Sequence, residues 1–446
     1  MSTTLTNPAP ANTAPTDRAT ATAGAARAPS AFGFATHLAC RECGHTCALG
    51  STHACDECFG PMEVAYDLPP LTQASIESGP LSMWRYASLL PVPPDVASRP
   101  NLDPGWTRLI RADQLAKVLG MRELWIKDER GNPTHSFKDR VVGVALAAAT
   151  ELGFKVLACP STGNLANAVA AAAARAGIRS VVLIPADLEP QKIVGSAVYG
   201  CSLVAVQGSY DDVNRLASEL ADEREDWAFV NVNVRPYYAE GSKTIGFEIA
   251  EQLGWRLPVQ IVVPVASGAQ LVKIDKAFRE LISTGLVDEA PYRVFGAQAT
   301  GCSPVAAAFR AGHEVVQPVR PATIAKSLAI GNPADGPYVL DVVRRTGGCV
   351  ADVSDDELVD AISLLASTEG IFAETAGGVT LAVLRSLLKE GLIDPEARTV
   401  IINSGDGLKT PDAVAPRIGA IAPIPPTLEA FAALEPVRSE SARKAG

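Results

Sequence analysis

One lysine stands out by its setting. Lys138 lies in the stretch Asn132-Pro133-Thr134-His135-Ser136-Phe137-Lys138-Asp139-Arg140, between a strand-like run at 123–127 and an apolar-periodic segment at 140–152. Gly131 and Pro133 oppose helix ahead of it, and the helical pattern begins near Ser136. Lys138 therefore falls in a first helical turn, where the helix dipole disfavours a second positive charge. An amine so placed gives up its proton more readily, as Schiff-base chemistry requires. A solvated lysine at a helix start would carry the same local signature.

Three loops offer complementary chemistry, each after a β-rich run. Ser161-Thr162-Gly163-Asn164 opens an Ala-rich helix and presents hydroxyls and backbone N–H groups to an anion such as a carboxylate. Ala266-Ser267-Gly268-Ala269-Gln270 is built of small residues that let backbone approach a phosphate. Ser404-Gly405-Asp406-Gly407-Leu408-Lys409 places a hydroxyl at a strand end, suited to a heterocycle nitrogen. Ordinary caps and turns would serve equally well for each loop taken singly. Glu240-Gly241-Ser242-Lys243-Thr244 and Thr323-Ile324-Ala325-Lys326-Ser327 are polar stretches that could line the same pocket or cap helices.

A second kind of chemistry sits upstream. Cys40-Arg41-Glu42-Cys43 and Cys55-Asp56-Glu57-Cys58 are two pairs with metal-knuckle spacing. Cys40, Cys43, Cys55 and Cys58 are thus the expected ligands of a structural zinc ion, with a metal-free ribbon as the alternative. The segment carries little positive charge, which argues against a nucleic-acid role.

The elements that must position these groups follow from the hydrophobic pattern. Short β-rich runs at 156–159, 180–185, 203–206, 228–231, 260–265, 293–298 and 399–403 alternate with helical stretches at 164–176, 191–199, 211–223, 270–282, 355–368 and 378–389. Such alternation predicts an α/β chain with open, mainly parallel sheets flanked by helices, and ligands bound beyond the carboxyl ends of the strands. The expected division is a disordered tail at 1–35, a small zinc-ribbon-like segment at 36–67, a catalytic α/β part at 68–420 and a C-terminal tail at 421–446. In the Pro-rich connection at 68–105, Trp84 and Tyr86 are the aromatic anchors.

The 446 residues carry a formal net charge of −10, with 47% hydrophobic residues in short runs. No basic stripe invites nucleic acid, and no run reaches the length of a membrane span. Clustered and lone cysteines fit a reducing, cytoplasmic setting better than a disulfide scaffold.

Together these stretches resemble the pyridoxal-phosphate enzymes of the tryptophan synthase β-subunit type, fold type II, and among them the threonine synthase family. The resemblance runs from about Cys40 to Lys409 and includes Gly296-Ala297-Gln298-Ala299, Ile330-Gly331-Asn332-Pro333 and Glu369-Gly370-Ile371-Phe372-Ala373-Glu374. It implies two α/β subdomains and pyridoxal 5'-phosphate held by Lys138, which would then act as base and acid. Phe137 would lie near the pyridine ring, Asn164 at its phenolic oxygen and Ser404 at its nitrogen. The cofactor phosphate would sit on Ala266, Ser267, Gly268, Ala269 and Gln270. Ser161 and Thr162 would take the carboxylate of O-phospho-L-homoserine, with Arg235, Lys243 or Lys326 on its phosphate.

The implied reaction gives L-threonine and phosphate, and a homodimer is compatible with the resemblance. Three departures stand: the phosphate loop lacks the Gly-Asn-x-Gly-Asn of many relatives, Tyr238 replaces an arginine found in some, and Arg108 stands where proline is usual. The alternatives are a threonine or serine dehydratase-like lyase, a synthase using another phosphorylated amino acid such as phosphoserine, and a non-catalytic ribbon protein.

Overall fold

The computed structural model describes residues 30–161, 163–186, 190–208, 210–419 and 423–433. Residues 1–29 and 434–446 of the expected tails lie outside the described residues, and so does Thr162. Ser30 to Gly33 form a turn, and the Phe32 ring lies 5.5 Å from that of Tyr237, so packing already begins within the expected tail.

Three antiparallel strands, β1 (Ala35–Cys40), β2 (Thr46–Cys47) and β3 (Met62–Tyr66), form the ribbon in the order β2-β1-β3. A six-stranded sheet is built from β4 (Arg108–Arg111), β5 (Leu124–Asp128), β10 (Gln260–Pro264), β11 (Arg293–Ala299), β12 (Val350–Val353) and β13 (Thr399–Asn403). Its order is β12-β11-β10-β13-β5-β4, parallel except for β4 at one edge. A four-stranded parallel sheet contains β6 (Val156–Pro160), β7 (Arg179–Pro185), β8 (Ser202–Val206) and β9 (Trp227–Phe229), ordered β8-β7-β6-β9.

The central strands are apolar along their whole length because both faces are covered. Along β10, Ile261 and Val263 turn to a core shared with helices Lys243–Gln252 and Ala269–Ser283, while Val262 turns to the one under Asp355–Glu369 and Thr375–Lys389. The alternation has the two-residue period of a strand. Helices Lys138–Glu151 and Asn164–Ala176 pack together through alanines and valines beside the second sheet. Trp84 and Tyr86 are both buried, as anchors should be.

Some boundaries differ from expectation. The strand expected over 228–231 ends at Phe229, because the Asn233 side chain accepts from the Phe229 N–H and donates to the Trp227 carbonyl, closing a turn. The stretch at 240–244 joins two helices, Arg235–Glu240 and Lys243–Gln252. Edge strands β4 and β12 were not expected, being too short for a two-residue period to register.

Adjacent strands β5, β13 and β10 end side by side, and their carboxyl-end loops carry Lys138, Ser404 and residues 266–270. The loop after β6 in the other sheet carries Asn164. The site therefore forms between the two sheets, at the strand ends where such folds bind ligands.

Candidate active site

Lys138 is the first residue of its helix, one turn earlier than the periodic apolar face begins. The approach is fixed by backbone: the Phe137 N–H donates to the Ser404 carbonyl at 3.0 Å, and the Asp406 N–H to the His135 carbonyl at 3.1 Å. His135 adopts a φ of 62°, a left-handed conformation uncommon outside glycine. The Asp139 carboxylate caps the turn, accepting from the Thr134 N–H at 2.7 Å and hydroxyl at 2.8 Å. Burial pushes its carboxyl up to about 6 against those two bonds. The Lys138 amine donates to the Tyr238 hydroxyl at 3.1 Å and lies 4.5 Å from the centroid of the Phe137 ring.

Asn164 and Ser404 meet through a third residue. Glu374 accepts from the Ser404 hydroxyl and from the Asn164 amide, each at 2.9 Å, and Lys409 donates to the Asn164 oxygen at 2.8 Å. Burial drives the Glu374 carboxyl upward, opposed by the Asn164 and Ser404 hydrogen bonds and by the charges of Lys409 and Lys138. Burial likewise lowers the Lys409 amine, with Glu374 opposing. A side chain at Gly405 would place its Cβ 2.7 Å from the Glu374 carboxyl group, so it would push Glu374 off its two partners. Glu374, Lys409 and Tyr238 thus complete a constellation of which Lys138, Asn164 and Ser404 were expected. In the sequence, all three lie in or beside resemblance motifs but have no spacing that marks them.

The small-residue loop after β10 opens the 15-residue helix Ala269–Ser283. Gly268 has a φ of 103°, and a Cβ there would come within 2.7 Å of Val339. The Gln270 amide nitrogen and the Ser136 hydroxyl are buried without a hydrogen-bond partner. Such orphans cost about 1–3 kcal/mol each unless a ligand satisfies them. A helix start, a backbone that excludes side chains and an orphan donor together fit a phosphate. With a primary amine, an aromatic ring, an amide and a hydroxyl nearby, the residues fit pyridoxal 5'-phosphate.

The three cations proposed for a substrate phosphate separate clearly. Arg235 leads the short helix that carries Tyr238 and donates to Asp335 at 2.7 Å. The Asp335 N–H in turn donates to the Ser267 carbonyl at 2.8 Å, so Arg235 stands beside the small-residue loop. Lys326 is exposed on a 3-10 turn (Lys326–Leu328) whose neighbours Ala325 and Leu328 are buried. Lys243 is elsewhere. Its fully buried amine donates to the Leu89 carbonyl at 2.7 Å, Glu240 at 2.8 Å and Glu280 at 2.9 Å, which uses all three N–H bonds and rules it out as a substrate ligand. Ser161 is buried at the end of β6, its N–H donating to the Leu183 carbonyl at 3.2 Å.

Behind the site lies a buried ionic network that sequence patterning did not reveal. Arg140 pairs with Glu129 at 2.6 Å and Glu248 at 2.5 Å, and Lys127 with Glu248 at 2.6 Å. Thr107 adds a hydroxyl to Glu129 at 2.6 Å. Burial alone would raise the Glu248 carboxyl, but Arg140 and Lys127 outweigh it and hold it at about 2.

In the ribbon, the Sγ atoms of Cys40, Cys43, Cys55 and Cys58 all lie within 4.8 Å of one another, with Cys40–Cys58 at 3.5 Å and Cys43–Cys55 at 3.7 Å. Tetrahedral zinc–thiolate bonds would separate sulfurs by roughly 3.8 Å, so the cluster fits a zinc ion. The Cys43 and Glu42 N–H groups lower the Cys40 thiol, while the crowding of the neighbouring thiols raises Cys43 and Cys58.

With this geometry in view, the comparisons agree. The family described as pyridoxal-phosphate dependent enzymes matches residues 101–405. A threonine synthase of Methanocaldococcus jannaschii is 39% identical over 380 residues, covering 84% of this chain and 93% of that protein. The chain belongs to the threonine synthase family of pyridoxal-phosphate-dependent enzymes. A threonine synthase of Methanosarcina acetivorans is 36% identical, covering 85% of this chain and 93% of that relative. Among solved structures, the processed threonine deaminase isoform 2 of Solanum lycopersicum aligns with a TM-score of 0.59 at 21% identity, covering 70% of this chain and 88% of that one. Maize serine racemase aligns at 0.57 and 23%, covering 69% and 89%. At that identity the two structures share the fold alone, which is fold type II.

Proposed function

We propose that this chain is a threonine synthase, converting O-phospho-L-homoserine and water to L-threonine and phosphate. The observations that support the proposal are the Lys138 bond to Tyr238, the Asn164 and Ser404 bonds to one Glu374 carboxylate, the Phe137 N–H on the Ser404 carbonyl, and a buried Gln270 amide left without a partner at a helix start. When bound, pyridoxal 5'-phosphate supplies the electron sink for carbanion chemistry on an amino acid. Lys138 holds it and moves protons at the α, β and γ carbons of the substrate. Phe137 would lie beside its ring, Asn164 would bond its phenolic oxygen through the second amide N–H, and Ser404 would meet its nitrogen, its hydroxyl turning from Glu374 to do so. Glu374 orients both Asn164 and Ser404, since its two oxygens accept one bond from each.

Residues 266–270 take the cofactor phosphate on open N–H groups and the Gln270 amide. Ser161 and Thr162 bind the substrate carboxylate. Arg235 is favoured over Lys326 for the substrate phosphate because Asp335 ties it to the Ser267 loop.

No helix among the described residues is long and apolar enough to cross a membrane. All nine cysteines are free. With the net charge of −10, these features support a cytoplasmic enzyme acting on a small molecule and not on nucleic acid, with a homodimer as the assembly to test. Borohydride reduction of the holoenzyme followed by peptide mapping tests the site: the reduced cofactor is expected on Lys138. An active preparation labelled at another lysine would overturn the assignment.

A further inference from the structure

The ribbon touches the active site through its first metal knuckle. Between Cys40 and Cys43, Arg41 and Glu42 both reach residues 335–338 at the start of helix Gly336–Arg345. The Arg41 guanidinium lies 3.5 Å from the centroid of the Tyr338 ring and 3.8 Å from one oxygen of Asp335. Glu42 accepts the Tyr338 hydroxyl proton in a short hydrogen bond. Arg235 binds the other oxygen of Asp335 at 2.7 Å, and the Asp335 N–H holds the Ser267 carbonyl at 2.8 Å. Arg235 and Tyr238 stand three residues apart on one helix, so they share a face, and Tyr238 is the residue against Lys138.

We propose that Arg41 is a positioning residue for recognition of the substrate phosphate, acting through Asp335 on Arg235. The sign follows from charge. Arg41, Asp335 and Arg235 together carry one net positive charge, in partly shielded surroundings: their side chains are 20%, 9% and 27% exposed. Without Arg41 the group is neutral, and the Asp335 carboxylate is shared with Arg235 alone. An incoming phosphate then meets an arginine whose charge is already matched, and attraction at this range falls. Because Arg41 is presented by a loop closed between two metal-ligand cysteines, metal occupancy of the four-cysteine cluster is felt at the substrate phosphate. The Arg41 N–H also donates to the Pro61 carbonyl at 3.1 Å, so the backbone that carries it is pinned inside the ribbon.

This inference rests on the proposed reaction, and its test separates the two. The variants Arg41→Ala and Arg41→Lys are compared with wild-type holoenzyme, with zinc content and melting temperature measured on each. Arg41→Ala is expected to raise KM for O-phospho-L-homoserine about tenfold while kcat stays within about twofold. Calorimetric affinity for inorganic phosphate should weaken by a similar factor. Arg41→Lys, which keeps the charge, should recover most of both. Stripping zinc from the wild type with a chelator should raise KM similarly, and add little in Arg41→Ala.

An unchanged KM and phosphate affinity in Arg41→Ala overturns the proposal. So does a lysine variant as impaired as the alanine one, or zinc removal whose effect is equal in both backgrounds. If wild type forms no threonine, the reaction has been misassigned, and the phosphate calorimetry still decides the role of Arg41.

Discussion

At the residue scale, the chemistry rests on what each polar group is left free to do. The Lys138 amine donates to the neutral Tyr238 hydroxyl at 3.1 Å and pairs with no carboxylate among the described residues, whereas the Lys243 amine spends all its hydrogens on acceptors. Replacing Lys138 with Ala should lower kcat by more than roughly a thousandfold with the melting temperature of the apoprotein unchanged. Substantial turnover in that variant would remove Lys138 from the chemistry.

Glu374 offers a subtler test. As a carboxylate it accepts from both Asn164 and Ser404; glutamine keeps one acceptor and turns an N–H₂ toward the other donor. Glu374→Gln should cost about 1–3 kcal/mol in transition-state stabilisation, a fall of roughly 5–150-fold in kcat/KM. A variant with wild-type kinetics would show that the orientation of the two donors does not matter.

At the scale of elements, the catalytic helix is held by close backbone contact as much as by side chains. A Cβ at Gly241 would lie 2.5 Å from the Arg140 carbonyl oxygen and 2.6 Å from the Val141 Cα. Gly241→Ala is therefore expected to destabilise by about 1–3 kcal/mol, read as a lowered melting temperature, with activity falling as the Lys138 helix shifts. A neutral outcome would mean that the two helices slide apart freely.

This contact also shows where the sequence stops being informative. The parallel sheets were legible because β6, β10 and β13 are buried along their length and must be apolar throughout. The lysine, amide and hydroxyl of the site were legible because each sits at a strand end in a distinctive local motif. Glu374 and Tyr238 come from 210 and 100 residues away from Asn164 and Lys138, through pairings that no local pattern encodes, and the Asp335 partner of the expected Arg235 lies 100 residues from it. The Lys127–Glu248–Arg140–Glu129 network escaped for a related reason. A charge that is buried by tertiary packing looks, in a one-dimensional pattern, like any solvated charge.

At the scale of the whole molecule, that network and the one around Glu240 set the response to acid. Glu248 and Glu63 are both held at about 2, against a desolvation that acts the other way: Arg140 and Lys127 act on Glu248, Lys273 and Lys276 on Glu63. Glu240, beside Lys243, Lys273 and Lys276, is also well below the usual carboxylate range in spite of its burial. A depressed carboxyl contributes stability that is present above its unfolded value of ~4.3 and is lost as pH falls through its folded value. Stability should therefore decline as pH drops from ~4.3 toward 2. Glu248→Gln should flatten that decline while lowering stability at pH 7 by about 3–5 kcal/mol, because it leaves Arg140 and Lys127 short of a buried partner. Denaturant unfolding at several pH values checks both, and an unaltered acid slope would show that the network carries no linkage.

The ribbon, the sheets and the two ionic networks matter to function only if they deliver one reaction. The most direct measurement is to incubate purified holoenzyme with O-phospho-L-homoserine and quantify L-threonine and inorganic phosphate together. Equimolar release of the two is the predicted result. Formation of 2-oxobutyrate from threonine, with no phosphate-coupled threonine from O-phospho-L-homoserine, would contradict it.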